Sequence, residues 1–420
     1  MSTDLMTQRV IDSPDCSRQF RVLFCSWTEL NITSGTPMVV ADMLKHFEPG
    51  QAEAFVEQNV DNKQHRQDFA IEHPIRKYRL HGRLWPFKRG SRIRTRLARL
   101  GLPILVAELV RHIHRFRPDC LFAIYARSHW ILATWLASRL TGIPLIYHVH
   151  DAFLELNDRH KNSPYFRWLE RRTLTTSRVL ALDNQMADHY ERRYGIKCTI
   201  LRHIVRRAPL PARLLQAPRS RAAVIGFAGA IYDSNSRQLA ELCRLVNDDP
   251  GLRLRIRTGS RPEALQPLGI HGPRVEVGFA PDYDHLLNDL AECDLLYLPL
   301  HFSEGETAAA GAMKFSLPTK CFDYLLTGTP IVAHCPEDFS LSRFLSRYPC
   351  AYVLNDPGAE ALKQWLDAWR AGMLPPLDDG LRRRTLAMYT PEENKRILWQ
   401  VLVEEVDGAT RIRSGERAGV

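Results

Sequence analysis

Residues 314–334 read Lys-Phe-Ser-Leu-Pro-Thr-Lys-Cys-Phe-Asp-Tyr-Leu-Leu-Thr-Gly-Thr-Pro-Ile-Val-Ala-His. They parse as a loop, a short helix, a tight turn and a buried strand. Pro318 suits a first helical position, where its missing N–H has no intrahelical carbonyl to bond. Cys321, Phe322, Leu325 and Leu326 recur at helical spacing and form one apolar face. Gly328 is placed to end the helix in a left-handed conformation, and Pro330 blocks its continuation. Lys320 and Asp323 share a face near the helix N-terminus. That end presents free N–H groups and positive dipole potential, which suits phosphate. Asp323 then suits two hydrogen bonds from a ribose diol, as acidic residues accept in dinucleotide folds. A surface ion pair explains the same two residues, and they alone do not choose between the readings.

Outward from this stretch, strand and helix alternate along the whole chain. In the second half strands are expected at Val224–Ile231, Leu252–Thr258, Val275–Phe279, Leu295–Leu300, Pro330–Ala333 and Ala351–Leu354. Helices are expected at Ser236–Val246, Tyr283–Cys293, Pro318–Leu326 and Ala359–Trp369. The first half repeats the pattern, with strands at Phe20–Trp27, Ala52–Asn59, Cys120–Ala126, Pro144–His150, Val179–Leu182 and Thr199–His203. Its helices fall at Pro37–Phe47, Pro103–Phe116, Trp130–Leu140, Tyr165–Leu174 and Gln185–Tyr194. Short apolar strands between helices predict parallel sheets buried on both faces, an α/β fold. Residues 206–221 hold Arg206, Arg207, Pro209, Pro211, Pro218, Arg219 and Arg221, and read as a linker. The expected organisation is a disordered tail over 1–18, domains over 19–205 and 222–390, and a closing amphipathic segment within 391–420. Two doubly wound domains that face one another leave a cleft at the carboxyl ends of both sheets, where ligands belong.

Bulk properties agree with two soluble domains. The chain has 420 residues, 45% hydrophobic and 25% charged, too long for one ordinary core. No apolar run approaches the roughly 18 residues of a membrane span; the nearest, Trp130–Leu140, is cut by Arg139. Asp4, Arg9, Asp12 and Asp15 argue against a signal peptide. The nine cysteines are scattered and never spaced Cys-x-x-Cys, which disfavours zinc ribbons and disulfide frameworks and fits a reducing cytosol. His148 and His150 would face one side of a strand, and His112 and His114 are similarly close, but no third ligand accompanies either pair. No metal site is expected.

Net charge is +10, and its distribution matters more than its size. Arg76, Lys77, Arg79, Arg83, Lys88, Arg89, Arg92, Arg94, Arg96 and Arg99 follow one another without an acid, with Trp85 and Phe87 among them. A basic surface with aromatic anchors suits anionic lipid headgroups, each cation contributing about 1 kcal/mol near the surface. Nucleic acid feels the same attraction, but the chain carries no recognition module and nucleic acid is not expected. A solvated basic loop is the plainer reading.

Several stretches together resemble a known family. Pro318, Lys320, Asp323, Tyr324, Gly328 and Pro330 resemble the P-x-K-x-x-E-Y-x-x-x-G-x-P signature of retaining glycosyltransferases of the GT-B fold, family 4. Residues 144–151 resemble that family's strand ending in His-Asp. Residues 225–235 resemble the strand and glycine turn opening its second domain, and residues 275–299 its later G…L…A-x-C-D-L run. The four fall in register over about residues 20–400. The resemblance implies two Rossmann-like domains around an interdomain cleft, the first on the acceptor side and the second binding a nucleotide sugar. It also implies that Pro391–Val406 packs back on the first domain.

A sugar transferase holds a nucleoside diphosphate sugar, stabilises the leaving diphosphate and presents an acceptor hydroxyl. Its transition state resembles an oxocarbenium ion with charge growing on the leaving oxygen, so fixed donors near that oxygen give most of the help. Candidates are Lys320, the backbone around Ser316 and Leu317, and the Ser34-Gly35-Thr36 loop, where Gly35 permits close backbone approach. By resemblance, donor contacts also fall on Gly229, Asn235 and Asp323. His150 would touch the transferred sugar or orient the reacting groups beside Asp151. Arg127 and Asn184, at comparable strand ends, are candidates for acceptor or sugar contacts.

The chain also departs from the family. The first of two glutamates expected with seven residues between them is Phe315, leaving Glu304 or Glu306 to replace it, and the second is Asp323. The diphosphate-gripping Arg and Lys after the second domain's first strand are replaced by Ala230 and Asn235. The expected activity is metal-independent, retaining transfer from a nucleotide sugar, with no cofactor, to a glycan or lipid-linked acceptor in polysaccharide or lipopolysaccharide synthesis. Its setting is the cytoplasm, at the inner face of the plasma membrane. A non-catalytic GT-B-like glycan-binding or scaffold subunit is the alternative from another class. A nucleotide-sugar epimerase needs a converging pair of carboxylates, which the sequence does not offer.

Overall fold

The computed structural model describes residues 17–30, 35–58, 71–78, 101–125, 127–155, 158–211, 221–302, 314–315 and 317–414. Its first sheet has seven strands: β1 (Val22–Ser26), β2 (Ala52–Glu57), β3 (Ile75–Tyr78), β4 (Cys120–Tyr125), β5 (Leu145–Val149), β6 (Arg178–Ala181) and β7 (Thr199–Ile200). Their order is β3-β2-β1-β4-β5-β6-β7, and every pairing is parallel. The second has six: β8 (Ala223–Ala228), β9 (Leu252–Arg257), β10 (Val275–Gly278), β11 (Leu295–Pro299), β12 (Ile331–His334) and β13 (Tyr352–Leu354). These run β10-β9-β8-β11-β12-β13, again all parallel. Strand order reverses beside β1 and beside β8, and such switch points open crevices at the carboxyl ends of the strands.

Helices α1 (Gly35–Leu44), α2 (Leu102–Phe116), α3 (Ser128–Thr141), α4 (Asp158–Asn162), α5 (Pro164–Leu174) and α6 (Asn184–Tyr194) connect the first sheet. The second is connected by α7 (Asp233–Asp248), α8 (Pro262–Leu265), α9 (Tyr283–Ala291), α10 (Lys320–Thr327) and α11 (Ser340–Arg347), and followed by α12 (Ala359–Arg370) and α13 (Asp379–Ala387). Alternation along the strands divides the first core in two, as the two-residue strand period requires. Leu23, Leu121, Ala123 and Tyr147 point to Leu105 and Leu109 of α2 and Trp130 of α3. Phe24, Phe122, Ile124 and Ile146 point the other way, to Val40 and Met43 of α1.

The last helix, α14 (Pro391–Ser414), closes that second face with Leu398, Trp399, Val401 and Leu402. The Trp399 ring lies 4.9 Å from Phe47, and its indole N–H donates to the Arg18 carbonyl at 3.0 Å. Arg178 bonds Glu404 at 2.7 Å and holds the far end. The chain therefore crosses between the domains twice, near residue 205 and near residue 390, where the Val205 N–H bonds the Tyr389 carbonyl at 2.8 Å.

The expected strands are found with ends shifted by a few residues. Three differences have physical causes. Ile75–Tyr78, within the stretch that reads as a basic loop, is an edge strand, and Lys77 leans onto buried Glu29 at 3.3 Å; charge on an edge discourages further pairing. Residues 79–100, with Trp85, Phe87 and the remaining cations of the run, lie outside the described residues. Helices α4, α8, α11 and α13 were not expected: each has nine residues or fewer, and none is followed by the Gly-x-Pro stop that marks the equally short α10. Pro318 lies just before the helix rather than at its first position: Thr319 is the N-cap, and the Cys321 N–H reaches back to the Pro318 carbonyl at 3.0 Å.

Candidate functional site

In the second domain the site grows from the end of β8. Gly229 follows it with φ +120°, and a Cβ there would stand 3.4 Å from the Lys320 ammonium, so only glycine suits both the turn and its neighbour. Tyr324 fixes the same corner: its hydroxyl accepts from the Ala228 N–H at 2.6 Å and donates to the Ala228 carbonyl at 3.3 Å. The Lys-x-x-Asp-Tyr spacing is thereby explained. Tyr324 ties α10 to the strand end, Lys320 covers the glycine turn, and Asp323 lies one turn along.

Lys320 is half-buried, its ammonium 4.7 Å from the Phe227 ring centroid. Burial draws its pKa down to about 8, against the opposing charge of Asp323. Burial pushes the Asp323 carboxyl up, opposed by a 2.6 Å hydrogen bond from the Tyr283 hydroxyl and by the charges of Arg206 and Lys320. The Arg206 guanidinium lies 5.9 Å from the Tyr283 ring and bonds Asp42 of α1 at 2.8 Å. A polar line thus runs from α1 through the linker to Asp323. Tyr283, Arg206 and Asp42 were missed as site residues because nothing in local spacing announces them; Tyr283 and Asp323 are 40 positions apart.

Two expected donor contacts are held in place by the fold. Asn235 is buried, with its amide oxygen accepting from the Tyr232 N–H at 2.9 Å and its amide nitrogen donating to the Ala230 carbonyl at 3.2 Å. It braces the turn after Gly229. The Leu317 side chain is in the core, so only its backbone is left to meet a ligand. Ser316, Glu304 and Glu306 lie outside the described residues.

In the first domain a chain of hydrogen bonds starts at α1. Thr36 Oγ1 lies 3.0 Å from His150 Nδ1, His150 Nε2 lies 3.1 Å from His148 Nδ1, and His148 Nε2 lies 3.0 Å from the Leu201 carbonyl. Both imidazoles are buried, and burial holds His148 at about 4 and His150 well below the ordinary histidine value. Asp151 is half-buried with its carboxyl pushed up by desolvation. Arg127 packs its guanidinium 4.6 Å over the Trp27 ring beyond β1. Asn184 is the half-buried first residue of α6, and the preceding Asp183 caps that helix through the Met186 N–H at 2.9 Å. Gly35 begins α1 and is exposed.

The two sets of strand ends meet. Ser340 Oγ, after β12, donates to Asp183 Oδ2, after β6, at 3.0 Å. Gln185 donates to the Asp338 carbonyl at 3.2 Å. Phe315, where the family pattern has its first glutamate, lies 4.2 Å from the His189 ring and packs on the first domain's core. Among the described residues no group of three or more His, Cys, Asp or Glu side chains converges to hold a metal. The strand ends of the second domain therefore carry a lysine, a carboxylate and a helix start, and those of the first a hydroxyl backed by two imidazoles.

Residues 51–204 match the family model of the glycosyl transferase 4-like domain. No curated protein matches the chain in sequence. Among solved structures, the apo lipopolysaccharide outer core galactosyltransferase WaaB superposes with a TM-score of 0.61 at 14% identity, over 94% of this chain and 99% of that one. Sucrose-phosphate synthase from Thermosynechococcus elongatus gives 0.59 at 12%, over 94% and 98%. Anabaena Alr3699/HepE in complex with UDP gives 0.54 at 15%, also over 94% and 98%. At such identities the likeness establishes architecture alone. The chain has the GT-B fold, two parallel-sheet α/β domains, and its residues 51–204 are similar to the glycosyl transferase 4-like domain.

Proposed function

We propose that the chain is a glycosyltransferase that moves a sugar from a nucleoside diphosphate to a hydroxyl acceptor, with retention and without a metal. The observation that carries this reading is the corner where Lys320 lies against the Gly229 turn while Asp323 stands one helical turn away. The anomeric carbon–oxygen bond to the diphosphate breaks, and its electron pair stays on the leaving oxygen. The bond from carbon to acceptor oxygen forms on the same face, and the acceptor's proton passes to the leaving diphosphate. Lys320 and the start of α10 oppose the charge that grows there. Asp323 takes the ribose diol, for which Tyr283 stands in at 2.6 Å. Support for a uridine nucleotide comes from Alr3699/HepE, whose structures include complexes with UDP and UDP-glucose.

The acceptor in this reading is a glycan or lipid-linked saccharide of cell-surface polysaccharide or lipopolysaccharide, met by a cytoplasmic enzyme at the membrane. None of the described helices is long and apolar enough to cross a membrane, so attachment would be peripheral, through the run from Arg76 to Arg99. Helix α5 adds to it: Tyr165 is 43% and Trp168 51% exposed, their rings 6.3 Å apart, with exposed Arg167, Arg171 and Arg172 alongside. Its one acid, Glu170, is buried and bonded by Tyr194 at 2.6 Å. Exposed aromatics among arginines suit an anionic bilayer surface.

Calorimetric titration with UDP, GDP and ADP, followed by transfer assays, tests the reading. One nucleotide should bind, and Asp323→Ala and Lys320→Ala should each depress turnover; unchanged turnover in both would remove the site assignment. Phe315 favours a second reading, a glycan-binding or scaffold subunit, because an aromatic ring that bridges the domains replaces a sugar-contacting carboxylate. Failure to bind any of the three nucleotides would select it.

A further inference from the structure

We propose that Thr36, and not His150, is the group this site turns toward a sugar hydroxyl, with His150 acting only through it as a positioning residue. The ligand's identity rests on the transferase reading; the direction of every hydrogen bond rests on geometry. A carbonyl only accepts, so the Leu201 oxygen requires the proton of His148 to be on Nε2. His148 is buried and neutral at pH 7, which leaves its Nδ1 bare. That nitrogen accepts, so His150 carries its proton on Nε2 and points it at His148. Burial opposes a proton on His150, and the imidazoles of His148 and His203 that face it would oppose one further if they were charged. Its Nδ1 is therefore bare too, and takes the hydroxyl proton of Thr36.

Two consequences follow for a ligand. His150 has neither an N–H nor a lone pair left to offer, since both ring nitrogens are engaged. Thr36, half-buried at the start of α1, has its proton turned inward and keeps oxygen lone pairs for the open side. Beside it, none of the described residues lies within 4 Å of where a Gly35 side chain would begin. Such an oxygen accepts from a pyranose hydroxyl and offers no proton to a phosphate oxygen or a carboxylate. The side chain of Thr36 is thereby assigned to sugar and not to diphosphate. The chain ends on an amide carbonyl, which cannot take up a proton, so it fixes orientation and does not serve as a base.

The position fits as well as the polarity. From Thr36 to Asp42, α1 rises about 9 Å at 1.5 Å per residue, and Asp42 is bonded to Arg206, whose charge acts on Asp323. Helix α1 thus joins Thr36 to the group of charges around Asp323.

The test uses the full chain with UDP, UDP-glucose and UDP-galactose as probes. Thr36→Val removes the oxygen at constant shape, Thr36→Ser retains it, and His150→Gln keeps a donor to His148 while removing the acceptor of the Thr36 proton. UDP affinity should stay within about twofold in all three. Affinity for the preferred UDP-sugar should fall about five- to tenfold in Thr36→Val and recover in Thr36→Ser, the loss of one neutral hydrogen bond. His150→Gln should weaken the same step, and the double variant should be no worse than Thr36→Val. Nitrogen-15 spectra of the wild-type histidines should show both His148 and His150 neutral with the proton on Nε2 at pH 7. A UDP-sugar affinity indifferent to Thr36, multiplying effects in the double variant, or a protonated Nδ1 on His150 each overturns the proposal while the transferase reading stands. Where GDP or ADP binds in place of UDP, the same variants are read with the sugars of that nucleotide; failure of the wild-type chain to bind any of the three strikes the transferase reading itself and removes the sugar assignment with it.

Discussion

The two walls of the groove solve opposite problems. The wall built from the second domain keeps charge half-buried: Lys320 beside the Gly229 turn and Asp323 under Tyr283. The wall built from the first domain buries two imidazoles and keeps them neutral, each fixed by its neighbour. Charge held short of full solvation binds charge strongly and is sensitive to pH. Neutral groups with every proton assigned discriminate by hydrogen-bond direction and change little across physiological pH. A nucleoside diphosphate sugar needs both, one at each end.

The contrast can be broken most decisively at Lys320. Lys320→Met should lower turnover about 10²–10³-fold, the range for losing one donor to a developing oxyanion, far beyond the tenfold or less expected at Thr36. Equal losses on the two walls would mean that they do not divide the labour. Tyr324→Phe tests whether the charged wall depends on its corner. It strands the buried Ala228 N–H, should cost about 1–3 kcal/mol in chemical denaturation, and should loosen nucleotide binding through the Gly229 turn.

A third comparison separates surface from groove. Arg167→Ala with Arg171→Ala should weaken binding to vesicles containing anionic phospholipid by about 2 kcal/mol, at about 1 kcal/mol per cation. UDP affinity should be unchanged, since α5 lies outside both walls. Vesicle binding that persists in the double variant would leave attachment to the run from Arg76 to Arg99.

The smallest effect is a difference in pH response. Lys320, at about 8 in place of 10.5, loses its proton above pH 8, so nucleotide affinity should fall about tenfold per pH unit beyond that point. Stability should move the other way. Between pH 8 and 10.5 the unfolded chain holds a lysine proton that the native state has released, so this group makes the native state relatively more stable as pH rises. For His148, at about 4 in place of 6.5, stability is lost as pH falls through that window while the neutral wall is unchanged above it. Titrations of UDP affinity and denaturation midpoint over pH 5–10 would show whether the two curves part.

Much of the architecture was legible because strand and helix alternate with clean turns, and the stretch 314–334 supplied its own caps. Gly328 ends α10 with φ +71° as its position implied. Edge strand β3 was hidden by Arg76 and Lys77, since charge on a short edge reads like a loop. The site was legible only where chemistry is local. Lys320, Asp323 and Tyr324 share one helix and could be read together. Thr36 and His150 are 114 positions apart, and Arg206 sits in a stretch that looks like a linker. Their meeting is a property of the tertiary fold, and no spacing rule encodes it. Phe315 was noted as a departure, but its contact with His189 across the groove could not be read from either neighbourhood.

The return of α14 to the first sheet also sets an order of events on the ribosome. Phe20, Phe47 and Phe122 belong to the first half, yet the side chains that cover them, Leu398, Trp399, Val401 and Leu402, are made more than 270 residues later. Until those residues emerge, one face of an otherwise complete nascent domain stays wet. The half of the molecule translated first is finished last, and a lesion near the carboxyl terminus is felt by the amino-terminal half.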